Sequence, residues 1–184
     1  MKTPKLGSDF SETQLSSKTV YRGGFLELKE DRVKLPDGKS AVREYLIHPG
    51  AVVIIPVLDD GTLVLERQYR YPLHDHFYEL PAGKLEPGED PLLCAQRELL
   101  EETGYVAQHW RCFASAYPCV GYSSERQLFY LAQGLSHHGS KPDEEEFLEV
   151  IKVQLPTALE WVAEGKITDG KTIIGLFWAE KILK

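Results

Sequence analysis

The sequence has no apolar run long enough to cross a membrane. Its longest, Ala51 to Leu58, spans eight positions and is broken by Pro56, against the roughly 20 residues that a spanning helix needs. Cysteine is scarce: Cys94, Cys112 and Cys119 are odd in number and form no C-x-x-C pair. That excludes a disulfide scaffold or a paired-cysteine zinc site and points to a reducing, cytoplasmic setting. The start, Met1 to Lys5, lacks the apolar core of a secretory signal. There is no dense Lys/Arg cluster, and 28 acidic against 21 basic side chains give a net charge of −7. A nucleic-acid partner is not expected from such a chain. Acidity suits a protein that collects divalent cations, yet most acidic proteins are simply soluble, and composition does not separate the two. With 184 residues, 42% hydrophobic and 27% charged, the chain has room for one ordinary globular domain.

Residues 1–16 are polar and read as a flexible tail. Residues 17–47 carry strand material at Thr19–Tyr21 and Phe25–Leu28, then a hairpin from Val33 to Ile47 around the turn-forming Pro36-Asp37-Gly38. From residue 48 to 184 the pattern changes. Ala51 to Leu58 is apolar on both faces, as in a buried central strand. Asp59-Asp60-Gly61 turns the chain into Thr62–Glu66. Strands follow near 108–117, 125–132 and 148–153, with a polar loop at 134–146. A Thr-x-x-Glu capping box places the start of one late helix at Thr157, and another helix spans about 171–182. Strands and helices interleave without strict βαβ alternation, so a mixed sheet flanked by helices is expected.

A third helix is signalled most strongly. Asp90 is an N-cap, Pro91 occupies the first helical position and Gly104 stands where a left-handed C-terminal cap belongs, which predicts a helix over 91–103. Leu92, Leu93, Leu99 and Leu100 are its expected apolar contacts. Glu98 and Glu102 lie four residues apart on one ridge, with Glu101 on the adjoining row. Like charges so spaced repel by a few tenths of a kcal/mol in an exposed helix. The ridge therefore either faces water or faces a cation. Arg97, four residues before Glu101, is placed to hold a carboxylate, and the loop Gly83 to Gly88 leads straight into the helix. Oxygen ligands of this kind suit Mg²⁺ or Mn²⁺.

The segment Gly83 to Tyr105 resembles the Nudix box, G-x5-E-x7-R-E-U-x-E-E-x-G-U, at every specified position up to Gly104; only Tyr105 replaces the usual aliphatic residue. Flanking residues resemble the ADP-ribose pyrophosphatase and nucleoside-diphosphate-sugar hydrolase subfamily. They are Glu66 to Pro72, Glu79-Leu80-Pro81-Ala82-Gly83, Tyr117 to Glu125 (with Val120 where a second proline is usual) and Glu146 to Val150. The resemblance covers roughly residues 17–183. It implies an α/β (α+β) fold, a Nudix-type α/β/α sandwich with a mixed sheet, preceded by an N-terminal antiparallel sheet that serves dimerisation and substrate binding. It implies Mg²⁺-dependent hydrolysis of ADP-ribose to AMP and ribose 5-phosphate. The alternatives are another nucleoside-diphosphate sugar, such as GDP-mannose or ADP-glucose, and a non-catalytic nucleotide-sensing domain.

The same resemblance implies residue roles. Glu98 and Glu102 bind metal, Glu101 is a ligand or supports one, and the carbonyl of Ala82 completes the cage. Gly83, Glu89, Arg97 and Gly104 support loop and helix, with Glu89 bracing the loop against Arg97. The general base is Glu146, with Glu144 next, each set against the alternative of a solvated acidic loop. Arg70 is a candidate phosphate clamp because a guanidinium presents a planar fork to phosphate oxygens, or else a surface ion pair. Arg43, Glu44 and Tyr122 are further substrate candidates, and Tyr21, Tyr45 and Tyr69 are available for stacking. His74 and His76 read as a surface loop, and Cys119 is given no role. A homodimer is expected from the subfamily.

Overall fold

The computed structural model describes residues 9–139 and 147–183. These divide into two compact units, one formed by the chain up to His48 together with Cys119–Glu125, the other by Pro49–Pro118 with the chain from Arg126 onward.

In the first unit, strands β1 (Thr13–Arg22), β2 (Glu27–Lys34) and β3 (Ser40–Ile47) form an antiparallel sheet in that order. The β2–β3 hairpin turns at Pro36-Asp37-Gly38, where Asp37 accepts the Lys39 N–H at 3.0 Å. β1 begins at Thr13, so residues 13–16, expected in a flexible tail, are strand instead: their backbone pairs with β2, and polar side chains do not prevent that. Residues 119–125 join the unit through backbone bonds, Leu46 N–H to Tyr122 O at 2.8 Å and Ser124 N–H to Leu46 O at 2.9 Å.

The second unit contains β4 (Ala51–Pro56), β5 (Thr62–Arg70), β6 (Asp75–Glu79), β7 (Ala82–Lys84), α1 (Pro91–Thr103), β8 (Tyr105–Ala116), β9 (Gln127–His137), β10 (Leu148–Gln154), α2 (Leu155–Ala163) and α3 (Gly170–Ile182). A mixed sheet runs β7-β4-β9-β8, with β4 and β9 parallel, and an antiparallel sheet runs β10-β5-β6. Two apolar clusters fill the unit. Val53, Ile55, Leu65, Phe129 and Leu131 pack with Ala158 of α2 and Leu176 and Ala179 of α3. Val52, Ile54, Val64, Tyr130 and Ala132 pack with Cys94, Ala95 and Leu99 of α1. Alternate residues of β4 and β9 thus feed both clusters, the signature of central strands covered on both faces. This is the expected α/β/α layering.

The caps of α1 are as expected. Asp90 accepts the N–H groups of Leu92 and Leu93 at 2.9 and 3.2 Å, and Gly104, in the left-handed region at φ 73°, donates its N–H to Leu100 O. Of the four leucines expected as its apolar contacts, Leu99 is buried and Leu92 packs against the core, while Leu93 and Leu100 are exposed; Cys94, Ala95 and the polar Glu98, Glu102 and Thr103 are buried as well.

Other boundaries shift. α2 starts at Leu155, not Thr157, with Pro156 in its first turn and no side-chain cap, so the Thr-x-x-Glu spacing is not used; proline's fixed φ sets the start instead. β9 continues to His137, into the expected loop, because β8 pairs with it that far. His74 ends a 3-10 turn (Tyr71–Leu73), but His76 lies on β6 opposite Tyr69, a strand position and not a loop. No described helix is long and apolar enough to cross a membrane.

Candidate active site

Within the second unit, the short β7 brings backbone against the carboxylate ridge. Glu98 and Glu102 are 9% and 3% exposed, so the ridge does not face open water along its length. The Ala82 N–H donates to Glu102 Oε2 at 3.0 Å. A Cβ added at Gly83 would lie 1.8 Å from Glu98 Oε1. Only glycine therefore lets the Glu98 carboxylate rest against that strand. Two of the three ridge carboxylates are in this way docked on consecutive residues, Ala82 and Gly83.

Arg97 gathers the remaining charge. Its Nε and Nη2 donate to the two oxygens of Glu89 at 3.0 and 3.1 Å. Its Nη1 meets Glu98 Oε1 at 2.9 Å and Glu101 Oε2 at 3.0 Å. Glu89 also accepts the Glu86 N–H at 3.0 Å, so this side chain ties the loop to the helix. The Arg97 guanidinium beside Glu89 holds that carboxyl down at about 2, and the same bonds raise Arg97 further above its ordinary value. Cys94, buried under the guanidinium, is pushed up to about 12 by burial first and by the Glu89 and Glu98 charges next. Keeping buried carboxylates ionised is costly unless positive charge stands close. One guanidinium against Glu89, Glu98, Glu101 and Glu102 leaves the cluster negative, which favours a bound cation.

Arg70, at the end of β5, points one edge of its fork at Glu79: Nε and Nη2 each reach a Glu79 oxygen at 2.7 Å. Glu79 is buried and also pairs with Lys171. Burial raises the Glu79 carboxyl, but the Arg70 and Lys171 charges outweigh it and the net shift is downward. Glu79 and Lys171 were not among the sequence candidates. Glu79 stands in the quoted Glu-Leu-Pro-Ala-Gly stretch and ends a strand, which is a local signal; Lys171 lies 92 residues away and has none.

Arg43, Glu44 and Tyr122 belong to the first unit. There Arg43 pairs with Glu12, Glu44 is exposed on β3 opposite Glu30, and Tyr122 is exposed. The Tyr45 hydroxyl donates to Asp31 at 2.9 Å, which commits it to that sheet. Tyr21 and Tyr69 are exposed. Glu144 and Glu146 lie outside the described residues.

Comparison with known proteins gives the family and the fold. The NUDIX domain family matches residues 47–173, and the family described as nucleoside diphosphate sugar hydrolase N-terminal domain matches residues 12–46. The chain is 38% identical over 173 residues to the methanol dehydrogenase activator of Bacillus methanolicus, covering 93% of this chain and 94% of that one. It is 39% identical over 163 residues to the ADP-ribose pyrophosphatase of Bacillus subtilis (strain 168), covering 88% of each. A crystal structure of an ADP compounds hydrolase superposes with a TM-score of 0.86 at 24% identity, over 96% of this chain and 97% of that one, which shows the shared fold.

Proposed function

Because this chain belongs to the NUDIX domain family, we propose that it is a pyrophosphohydrolase that splits ADP-ribose into AMP and ribose 5-phosphate. The observation that carries this reading is the docking of Glu98 and Glu102, both buried, against the backbone of Gly83 and Ala82. The likeness to the Bacillus subtilis ADP-ribose pyrophosphatase over most of both chains supports the choice of substrate.

The family implies a divalent cation, Mg²⁺ or Mn²⁺, and the donor set fits one. Among the described residues no three His, Cys, Asp or Glu side chains group into a metal cage. Mg²⁺ does not need one, since it binds through one or two carboxylates and takes its other ligands from water and phosphate. Glu98 and Glu102 would hold it, with Glu101 and the Ala82 carbonyl as the further donors. When bound, it supplies charge neutralisation for the diphosphate and a more acidic water.

The chain's own groups do the rest. Arg97 keeps Glu98 and Glu101 oriented, and Glu89 keeps Arg97 on the loop. Arg70 binds a phosphate oxygen. Glu146, with Glu144 as the second choice, takes the proton from the attacking water. Arg43, Glu44 and Tyr122 are further substrate-binding residues, residues 17–47 form the N-terminal sheet region with the Nudix domain following from 48, and the enzyme works as a cytoplasmic homodimer. A second reading, hydrolysis of another nucleoside-diphosphate sugar such as GDP-mannose or ADP-glucose, is favoured by the match of residues 12–46. A non-catalytic sensor is disfavoured because every carboxylate of the box is retained.

A panel of ADP-ribose, ADP-glucose, GDP-mannose and a dinucleoside polyphosphate, assayed with Mg²⁺ for release of AMP or GMP, separates these readings. ADP-ribose is expected to give the highest kcat/KM. Glu102→Gln is expected to lower kcat by a factor of 10² or more. Unchanged kcat at saturating Mg²⁺ would refute the metal assignment.

A further inference from the structure

Arg70 is anchored from behind. Its Nε–Nη2 edge is taken by the two oxygens of Glu79 at 2.7 Å each, while its side chain remains 41% exposed and its Nη1 end lies outside that pair. Glu79 is 2% exposed, and its Oε2, the oxygen that Arg70 Nη2 also reaches, meets the ammonium of Lys171, itself only 13% exposed. Lys171 also reaches Asp169 Oδ2 at 3.1 Å. Asp169 caps α3, accepting the Thr172 N–H at 3.0 Å and the Thr172 hydroxyl at 2.6 Å. Thr172 Oγ1 in turn accepts the Leu80 N–H at 2.8 Å, so the first turn of α3 is fastened to the backbone two residues before Ala82. A chain of charge-assisted bonds thus runs from the N-terminus of α3 through one carboxylate to one guanidinium.

Two physical consequences follow. A buried carboxylate bonded through both oxygens by one cation and through one of them by a second has little freedom to rotate, so the guanidinium plane is fixed before any anion arrives, and the cost of ordering it is not paid on binding. Arg70 with Glu79 alone would be a neutral pair with weakened pull on an anion. Lys171 offsets part of the carboxylate charge that Glu79 and Asp169 place around Arg70, whose Nη1 makes no bond to Glu79.

We propose that Glu79 and Lys171 are positioning residues for Arg70, holding its Nη1 end in readiness for an oxygen of the diphosphate in a nucleoside-diphosphate substrate. Only the identity of the anion rests on the function proposed above. The positioning itself is a property of the Arg70–Glu79–Lys171 chain.

The test is a double-mutant cycle in the full chain, with ADP-ribose and Mg²⁺. Lys171→Met is expected to raise KM about tenfold with kcat changed less than about threefold, because binding to the fork is lost and the carboxylate ridge is untouched. In an Arg70→Met background the same change is expected to have no further effect. Additive losses would overturn the proposal, since Lys171 would then act on substrate by itself. So would a fall in kcat at constant KM.

A second measurement does not depend on turnover or on a variant that folds. In the ¹⁵N–¹H spectrum of the wild type, the Arg70 Nε–H is expected to exchange slowly with solvent, protected by Glu79. Fast exchange, like that of a solvated arginine, would overturn the positioning. Failure of the wild type to cleave any compound in the panel would instead overturn the functional reading, with the Nε–H exchange still deciding the positioning.

Discussion

Glu89 illustrates how much one side chain can carry without touching the reaction. It closes a two-bond pair with Arg97 and accepts a loop N–H, and its carboxyl is held at about 2 against an ordinary 4.5. The sign of the pH effect follows. Above about pH 4.5 the carboxylate is ionised in both folded and unfolded chains, and its stabilisation is fully present. As pH falls from 4.5 towards 2 the unfolded chain takes up the proton first, and the stabilisation drains away. Glu89→Gln is therefore expected to lower stability at pH 7, by on the order of 1 kcal/mol. The gap from wild type should narrow progressively below pH 4.5, as urea melts at pH 7, 4 and 3 would show. A gap that stays constant over that range would mean the pair contributes nothing pH-dependent. At this scale the sequence was legible where partners are close in the chain: Arg97–Glu101 is an i, i+4 pair and Glu89 precedes Arg97 by eight residues. It was silent on Lys171, whose partner Glu79 stands on another element. Glu144 and Glu146 stay with the sequence argument alone.

Element boundaries were legible where a backbone requirement selects a residue type. α1 begins at an aspartate that accepts two N–H groups and stops at a glycine in the left-handed region. Asp90→Ala is expected to destabilise the fold by about 1 kcal/mol, and Asp90→Ser to restore most of it. Chemical denaturation of the three proteins measures this; an alanine variant as stable as wild type would show that the cap is not needed. Where two signals competed, tertiary context chose. At the start of α2, Pro156 and the preceding strand outweighed the capping box at Thr157. On α1, hydrophobicity named Leu93 and Leu100 as core, but the helix turns Glu98 and Glu102 inward and leaves those leucines exposed. A hydrophobic stripe locates the core face only when no buried polar cluster occupies part of it.

At the scale of the whole molecule, the N-terminal sheet has an outer strand exposed along all ten of its residues, with Leu15, Val20 and Tyr21 open to solvent. An edge strand with exposed apolar side chains invites pairing with another chain. The proposed homodimer would cover it. Light scattering after size exclusion is expected to give twice the chain mass, and Leu15→Lys with Val20→Lys to shift the protein towards the monomer; a wild-type monomer at tens of micromolar would refute the dimer. What the sequence by itself determined is the helix with its caps, the carboxylate ridge and its arginine, the central strands and the family, because each rests on residue types at short, fixed separations. Only the tertiary structure decided that Glu98 and Glu102 are buried against Ala82 and Gly83, and that Arg70 is held by Glu79 and Lys171. Those contacts join elements distant in the chain, where no local periodicity or spacing reports which surfaces meet.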